Sequence, residues 1–200
     1  SQSSIAAGVR RVEALRDKQL EDSLKNKEKI SDISLEKNNE IIKELSTQII
    51  SFGAKPNLDQ SDQKLLIKNL TKQLETLSVR SILNDKDKNI ICDDEINSIK
   101  VRFQRVIDLP SKELRNLVDQ GKKDLKEGVI IIISSKDEKV GIAVGVTNKY
   151  TEKYDAVKFV NLGSKILGGN GGGGRRDFAQ AGGNDETKIN ETFANLKYLI

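Results

Sequence analysis

The chain has no histidine, no methionine and no tryptophan, and its single cysteine is Cys92. The absence of histidine excludes histidine-dependent nucleophilic triads, histidine acid–base catalysis and the commonest zinc ligand. A single cysteine cannot form a disulfide within the chain and is typical of a reducing compartment, so we expect a cytoplasmic protein. Because methionine is absent even at position 1, we expect the sequence to be an internal or C-terminal piece of a longer protein.

Long apolar runs are also absent. No window approaches the roughly eighteen consecutive apolar residues of a membrane-spanning helix, so we expect no membrane partner. The net charge is +4, with 19 Lys and Arg against 18 Asp and Glu up to Pro110 and 15 against 12 beyond it. The positive excess therefore lies mainly in the second part of the chain, where it permits binding to nucleic acid.

The first part of the chain has the pattern of two helices. Residues 17–51 show the three-to-four-residue apolar spacing of a long helix, with no glycine or proline inside it. Gly53 and Pro56 predict a short turn, and leucines from Leu66 to Leu77 mark a second helix. This arrangement predicts a long antiparallel α-helical hairpin. Its apolar stripe is too large for two helices to cover, so we expect a partner helix or a second subunit to pack on it.

Beyond about residue 96, strand and helix patterns alternate. The predicted strands are INSIKVRFQRVIDL (96–109), VIIIIS (129–134), KVGIAVGVT (139–147) and FAQAGG (178–183). The predicted helices cover 111–127, about 155–167, and a closing segment that Asp185 opens. The wholly apolar VIIIIS is typical of a strand buried on both faces, whereas the acidic trio at 93–95 is expected in a solvated loop. The fold class is therefore an α/β (α+β) globular subdomain, a small sheet packed by helices, preceded by the helical hairpin.

The stretch GGNGGGGRRDFAQAGG (168–183) contains eight glycines and the adjacent Arg175 and Arg176. Glycines let backbone N–H groups point at an anion or let another backbone approach closely, and arginines are suited to phosphate. The stretch is neither a P-loop nor a dinucleotide fingerprint, because no Gly-Lys-Ser/Thr follows and it does not open a helix after a strand. A phosphate cradle and a purely structural crossover packed on the sheet both stay open. The same holds for Lys122, Lys123 and Lys126, which are either a basic surface or a solvated helix end.

These residues carry a resemblance to a known family. GGNGGGGRRDFAQAGG is similar to the signature near the C-terminus of alanyl-tRNA synthetases, commonly G-G-x-G-G-G-R-P-D-x-A-Q-A-G-G. SSIAAGVRRVEAL (3–15) resembles the segment that closes the editing domain in that family. LRNLVDQGKKDLKEGVIIIIS and VGIAVGVTNKYTEKYDA are similar to its stretches upstream of the glycine signature. Two departures stand out, since Arg176 replaces the usual proline and the glycine run is longer by one.

The resemblance implies three parts: the tail of an editing domain (1–16), a helical arm (17–92) and a DHHA1-type globular subdomain (93–200). It implies a module that binds tRNA, in particular alanine tRNA at its elbow, couples aminoacylation with editing, and self-associates as a homodimer. The parent would be an alanine–tRNA ligase whose ATP and zinc sites lie upstream, so no cofactor, metal ligand or catalytic residue is expected in this chain. The residues expected to contact nucleic acid are Lys165, Asn170, Gly171, Gly172, Gly173, Gly174, Arg175, Arg176 and Gln180.

Two other functions remain open on the sequence. A substrate-binding domain of a DHH-type phosphoesterase would use a similar glycine and arginine loop, although the AAGVRR segment and the helical pair argue against it. A purely structural dimerisation arm would use the glycines for packing alone.

Overall fold

A computed structural model describes residues 2–6, 9–12 and 16–200. Contacts divide the chain into two units, Ser1–Leu77 and Ser78–Ile200. The first unit starts with two antiparallel strands, β1 (Gln2–Ala6) and β2 (Val9–Val12). The segment that the resemblance assigns to an editing domain falls here, and parts of it (residues 1, 7–8 and 13–15) lie outside the described residues.

Two helices follow at the predicted places. α1 (Asp17–Ser51) has 35 residues and is about 50 Å long. α2 (Gln63–Asn84) begins in the first unit and ends in the second. The apolar stripes of the two helices meet in a small core, of which the fully or nearly fully buried members are Ile49, Leu66 and Leu70.

α2 runs in the same direction as the last turns of α1, so the predicted antiparallel hairpin is wrong. Gln63, the first residue of α2, donates its side-chain amide to Asn39 at 2.9 Å. Gln73, almost three turns further along α2, donates to the backbone carbonyl of Lys55 at 2.8 Å, beyond the end of α1. An antiparallel pair would instead place Gln73 further back towards the start of α1.

The segment 52–62 explains this direction. Asn39 lies about 18 Å before the end of α1 along the helix axis. A segment of this length spans about 30 Å or more when extended, so it can return the chain alongside α1 before α2 begins. Asp62 then caps α2, because its carboxylate accepts the backbone N–H groups of Lys64 at 2.8 Å and Leu65 at 3.1 Å.

The second unit is built on one six-stranded sheet with the strand order β3-β4-β5-β6-β8-β7. Its strands are β3 (Asn89–Ile96), β4 (Ile99–Ile107), β5 (Val129–Lys136), β6 (Lys139–Val146), β7 (Gly172–Arg175) and β8 (Phe178–Gly183). β4 and β5 are parallel and are joined through α3 (Leu114–Leu125), and the other neighbours are antiparallel.

Helices cover both faces of this sheet. α3 packs on one face, named here the α3 face, where it meets Ile130 and Ile132. α4 (Ala156–Ile166) and α5 (Ile189–Lys197) pack on the other, the α4 face, where Ile131 and Ile133 point. The apolar run of β5 is therefore buried on both sides, as its composition predicts. The predicted fold class, an α/β subdomain with a small sheet packed by helices and a helical part before it, is confirmed, whereas the antiparallel direction predicted for the two helices is not.

β3 is a strand that the sequence analysis missed. It contains the acidic trio expected in a loop, but Asp93, Asp94 and Glu95 pair in register with Arg102, Val101 and Lys100 of β4. β3 is an edge strand, and all its residues except the two at its ends are exposed. An exposed edge strand has no need for apolar alternation, so the hydrophobic pattern that identifies buried strands is absent.

Candidate nucleic-acid interface

The glycine run forms the edge strand of the sheet instead of an open loop. β7 pairs with β8 as a hairpin, with Gly172 opposite Ala181, Gly173 opposite Gln180, and Arg175 opposite Phe178. Arg176 and Asp177 form the two-residue turn between the strands. β8 in turn pairs with β6, so the hairpin continues the main sheet at its end.

A link of left-handed backbone leads from α4 into β7. Gly168 has φ +75° and Gly171 has φ +97°, values that favour glycine. Two side chains of α4 hold this link in place: Ser164 accepts the N–H of Gly171 at 3.1 Å, and Asn161 accepts the N–H of Gly172 at 3.0 Å. These glycines are required by the path of the chain.

The glycines inside β7 differ according to the face of the sheet they occupy. Gly172 and Gly174 lie opposite Ala181 and Ala179 on the α4 face, where a Cβ on either would overlap the backbone and side chains of β8. Gly173 lies opposite Gln180 on the α3 face, and a Cβ there would have no neighbour within 4 Å. The structural interpretation therefore accounts for most of the run, whereas Gly173 leaves an open surface that packing does not require.

Arg175 lies on the open side of the hairpin. Its side chain is 72% exposed, and its Nε donates to the carboxylate of Asp177 at 3.2 Å. On the same face the guanidinium of Arg115, from α3, stands 5.2 Å from the ring centre of Phe178. Arg175, Arg115 and Gln180 therefore surround the gap left by Gly173 with donors suited to phosphate or to nucleotide bases.

Lys122 of α3 ties this helix to the turn of the hairpin. Its ammonium group donates to the backbone carbonyl of Asp177 at 2.7 Å and lies 3.8 Å from the carboxylate. Burial lowers the pKa of Lys122 more than the nearby Asp177 raises it, and the positive charge of Arg175 acts in the same direction as burial. An anion placed beside this group would therefore relieve an electrostatic penalty.

Arg176 turns to the other side, towards the start of α4. It donates to the backbone carbonyl of Glu152 at 3.2 Å, and its Nε lies 3.9 Å from the carboxylate of Asp155, the residue that caps α4. Its own carbonyl accepts the N–H of Ala156 at 3.0 Å. These contacts restrain the turn that the family's usual proline would restrain through its fixed φ.

The other predicted residues occupy the far end of β7. Lys165 is exposed on the last turn of α4, and Asn170 is exposed in the link. Since α4 packs on the α4 face, Lys165 and Arg175 belong to opposite sides of the edge strand. Sequence reasoning missed Arg115, which lies on α3 and reaches the ring of Phe178 in the hairpin.

Two further properties bear on function. Within the described parts of the chain, no group of three or more His, Cys, Asp or Glu side chains is arranged to hold a metal ion. Among the helices that the structure describes, none is both long and apolar enough to cross a membrane.

Known proteins resemble this chain along its whole length. The profile of the DHHA1 domain family matches residues 98–200. An alanine–tRNA ligase of Bradyrhizobium diazoefficiens is 33% identical over 197 residues, which are 98% of this chain and 21% of that protein. One of Rhodopseudomonas palustris is 36% identical over 189 residues, which are 94% of this chain and 20% of that protein. The chain thus spans about a fifth of the length of the curated relatives it matches.

A solved structure agrees with these matches. The crystal structure of the C-Ala domain from Aquifex aeolicus alanyl-tRNA synthetase superposes with a TM-score of 0.51 at 30% identity. The superposition covers 54% of this chain and 96% of that domain. The resemblance to the C-terminal region of alanyl-tRNA synthetases is therefore confirmed in both sequence and fold.

Proposed function

This chain belongs to the DHHA1 domain family, and from that premise we propose that it is a tRNA-binding module of an alanine–tRNA ligase. The names of its relatives support the parent enzyme, and the fold it shares with the C-Ala domain supports the position of the module within that enzyme. In this proposal the parent acts in the cytoplasm, and its ATP and zinc sites lie outside this chain.

The single observation that carries RNA binding is the open edge of the glycine hairpin. Gly173 is exposed with no neighbour for a side chain, beside the exposed Arg175 and Gln180. A strand without side chains lets a sugar–phosphate backbone approach the main chain closely, and an adjacent arginine supplies the charge. The other predicted residues would flank this contact along β7 and at its two ends. They are Arg176, Lys165, Asn170, Gly171, Gly172 and Gly174.

We further propose that the ligand is the elbow of alanine tRNA. Folded RNA is recognised mainly through shape and through sugar and phosphate contacts, which fits a surface of glycine, arginine and glutamine better than one built to read base edges. A module held at the elbow would keep one tRNA bound while its acceptor end moves between aminoacylation and editing sites. Self-association as a homodimer belongs to the same proposal.

The test is a binding measurement over a salt series. Alanine tRNA, a non-cognate tRNA and a duplex DNA of similar charge would be titrated with this 200-residue chain near physiological ionic strength. Tighter binding of either tRNA than of DNA is the expected result. Equal and steeply salt-dependent binding to all three ligands would reduce the function to a weakly basic surface.

The hairpin arginines give the first prediction. The double variant Arg175→Gln and Arg176→Gln should bind tRNA more weakly, and the slope of log affinity against log salt should fall by about 1.5, because two phosphate contacts are lost. The matched control is Lys136→Gln with Lys139→Gln, which removes the same charge from the turn between β5 and β6. Unchanged affinity and slope in a folded hairpin variant would contradict this assignment.

A further inference from the structure

A second basic surface lies beside the hairpin, at the C-terminal end of α3. A cleft of about 410 Å³ opens there, between the last turn of α3 and the short 3-10 turn Asn148–Tyr150. The residues that line it are Lys122, Lys123, Lys126, Glu127, Thr147, Asn148 and Lys149. Four of these seven side chains are cationic and one is anionic, so the lining is strongly positive.

The charges of this lysine cleft are available to a ligand. The side chains of Lys123 and Lys126 are exposed to solvent. Lys149 is 57% exposed and pairs with Glu127, which is itself 54% exposed, so solvent screens this pair strongly. Lys122 is the most enclosed of the four lysines, and its pKa is already lowered by burial.

A solvated helix end does not account for this number of lysines. The C-terminal end of a helix carries about half a negative charge, which one nearby cation offsets. Here three lysines fall within the last turn and the cap of α3, and Lys149 adds a fourth from a different element. After Glu127 and the helix end are subtracted, roughly two positive charges remain in the lining, and an anion can bind to them.

The floor of the cleft is rigid. Thr147 is 7% exposed, and its hydroxyl accepts the N–H of Gly128 at 2.9 Å. The N–H of Thr147 donates to the carbonyl of Gly128 at 3.1 Å. Gly128 has φ +148°, and a Cβ there would overlap the backbone carbonyl of Lys100. The backbone beneath the lysines is therefore held by the hydrogen bonds between Gly128 and Thr147 and by the close approach of Gly128 to β4, so little of it must be ordered when a ligand binds.

Lys122 joins the cleft to the hairpin. It lines the cleft and at the same time donates to Asp177 in the hairpin turn. The positive charge of the exposed Arg175 is close enough to Lys122 to contribute to the lowering of its pKa. Cationic side chains therefore continue on the α3 face from Arg175 at the hairpin through Lys122 to Lys149, with the carboxylates of Asp177 and Glu127 among them.

We propose that the lysine cleft binds the phosphodiester backbone of the same RNA that contacts the hairpin. This proposal rests on the proposed function and adds a second contact to it. The open shape of the cleft suits a strand that passes through it, and its lysines act as point charges that tolerate any base sequence. RNA bound at the hairpin then crosses the α3 face and leaves over the 3-10 turn.

The test extends the same salt series with alanine tRNA to the double variant Lys123→Gln and Lys126→Gln in the 200-residue chain. Its affinity should fall about tenfold at 0.1 M salt, with a slope lower by about 1.5. Lys136→Gln with Lys139→Gln again serves as the control of equal charge, and its affinity for tRNA should stay within twofold of that of the unmodified chain. Thermal unfolding would show that each variant is folded.

A variant that removes a negative charge tests the same cleft while every lysine stays in place. Glu127→Gln releases Lys149 from its ion pair and should tighten tRNA binding severalfold. An equal loss of affinity in both lysine double variants, or no gain of affinity in Glu127→Gln, would overturn the proposal for the cleft and leave the hairpin proposal intact. Failure of the unmodified chain to bind any tRNA would instead overturn the proposed function, and the cleft proposal with it.

Discussion

Arg102 of β4 connects three elements through one guanidinium group. Its Nε and one terminal nitrogen donate to the two carboxylate oxygens of Asp93 on β3, at 2.7 and 2.8 Å. The other terminal nitrogen donates to Asp124 of α3 at 3.0 Å. The side chain of Arg102 is only 14% exposed, so these bonds hold the edge strand and the helix against the centre of the sheet.

Arg102→Gln should lower the free energy of unfolding at pH 7 by about 1 kcal/mol, a figure reduced from the usual range because Asp93 is half exposed. The matched control is Lys88→Gln, whose exposed ion pair with Asp108 predicts no measurable change. Urea unfolding measures both variants. Equal losses in the two variants would contradict a special role for Arg102.

The same residue predicts a dependence on pH. The hydrogen bond from Arg102 holds the pKa of Asp93 below its ordinary value, against the opposing effect of burial. A carboxylate with a lowered pKa contributes stability above its unfolded pKa of about 3.9, and this contribution disappears as pH falls through the folded value. In Arg102→Gln the pKa of Asp93 should rise towards its ordinary value, and stability should fall less steeply below pH 4. An NMR titration of Asp93 in both proteins checks this. An equal pKa in the two would exclude the hydrogen bond from Arg102 as the cause of the lowered value.

At the scale of elements, the hairpin β7–β8 depends on which of its glycines is replaced. Gly172→Ala should destabilise the protein by about 1–3 kcal/mol, because the added Cβ overlaps Ala181 and the carbonyl of Gln180. Gly173→Ala should change stability by less than about 0.5 kcal/mol, since its position is open. Thermal unfolding of the two variants gives the comparison. Once Gly173→Ala is known to be folded, weaker tRNA binding by it would indicate a close approach of RNA to the strand.

Some elements were predictable from the sequence, and others were not, for identifiable reasons. The run Val129–Ile133 predicts a strand buried on both faces because it is uniformly apolar and β-branched. β7 was not predictable as a strand, because glycine has a low strand propensity and the strand is held extended by pairing with β8. Gly53 and Pro56 predict a turn, but no local signal indicates where α2 begins along α1 or in which direction it runs after a segment of this length.

The candidate site was also predictable only in part, because some of its residues are close together in the sequence and others are brought there by the fold. The glycines and the two arginines stand out in the sequence, and the structure does bring Gly173, Arg175 and Gln180 to one face. Lys165 is near in sequence but belongs to the opposite side of the edge strand. Lys122 and Arg115 join the site through the fold alone, some sixty residues away along the chain.

At the scale of the whole molecule, the exposed apolar residues of α1 lead to a prediction about the oligomeric state. Ile33 and Ile41 remain 52% and 42% exposed, and they lie about 80° apart around the helix axis. Leu35, 46% exposed, lies about 160° from the midpoint between them. If α1 mediates the proposed homodimer through the face of Ile33, then Ile33→Glu with Ile41→Glu should give a monomer in sedimentation equilibrium, whereas Leu35→Glu should remain a dimer.

Two results would count against that arrangement. A monomeric unmodified chain at tens of micromolar would remove self-association from this part of the protein. Equal dissociation by Leu35→Glu would show that the effect is a general consequence of added charge on α1.

The turn of the glycine hairpin is held from three directions. Asp177 accepts hydrogen bonds from Val146 of β6 and from Lys122 of α3, and Arg176 accepts one from Ala156 of α4. Glycine loses more backbone freedom on ordering than any other residue, and here that loss accompanies folding of the chain. In the proposed function, RNA would meet a surface whose torsions are already fixed. Association should then proceed in one kinetic phase, with no slow rearrangement after encounter and with little change in amide hydrogen exchange across β7.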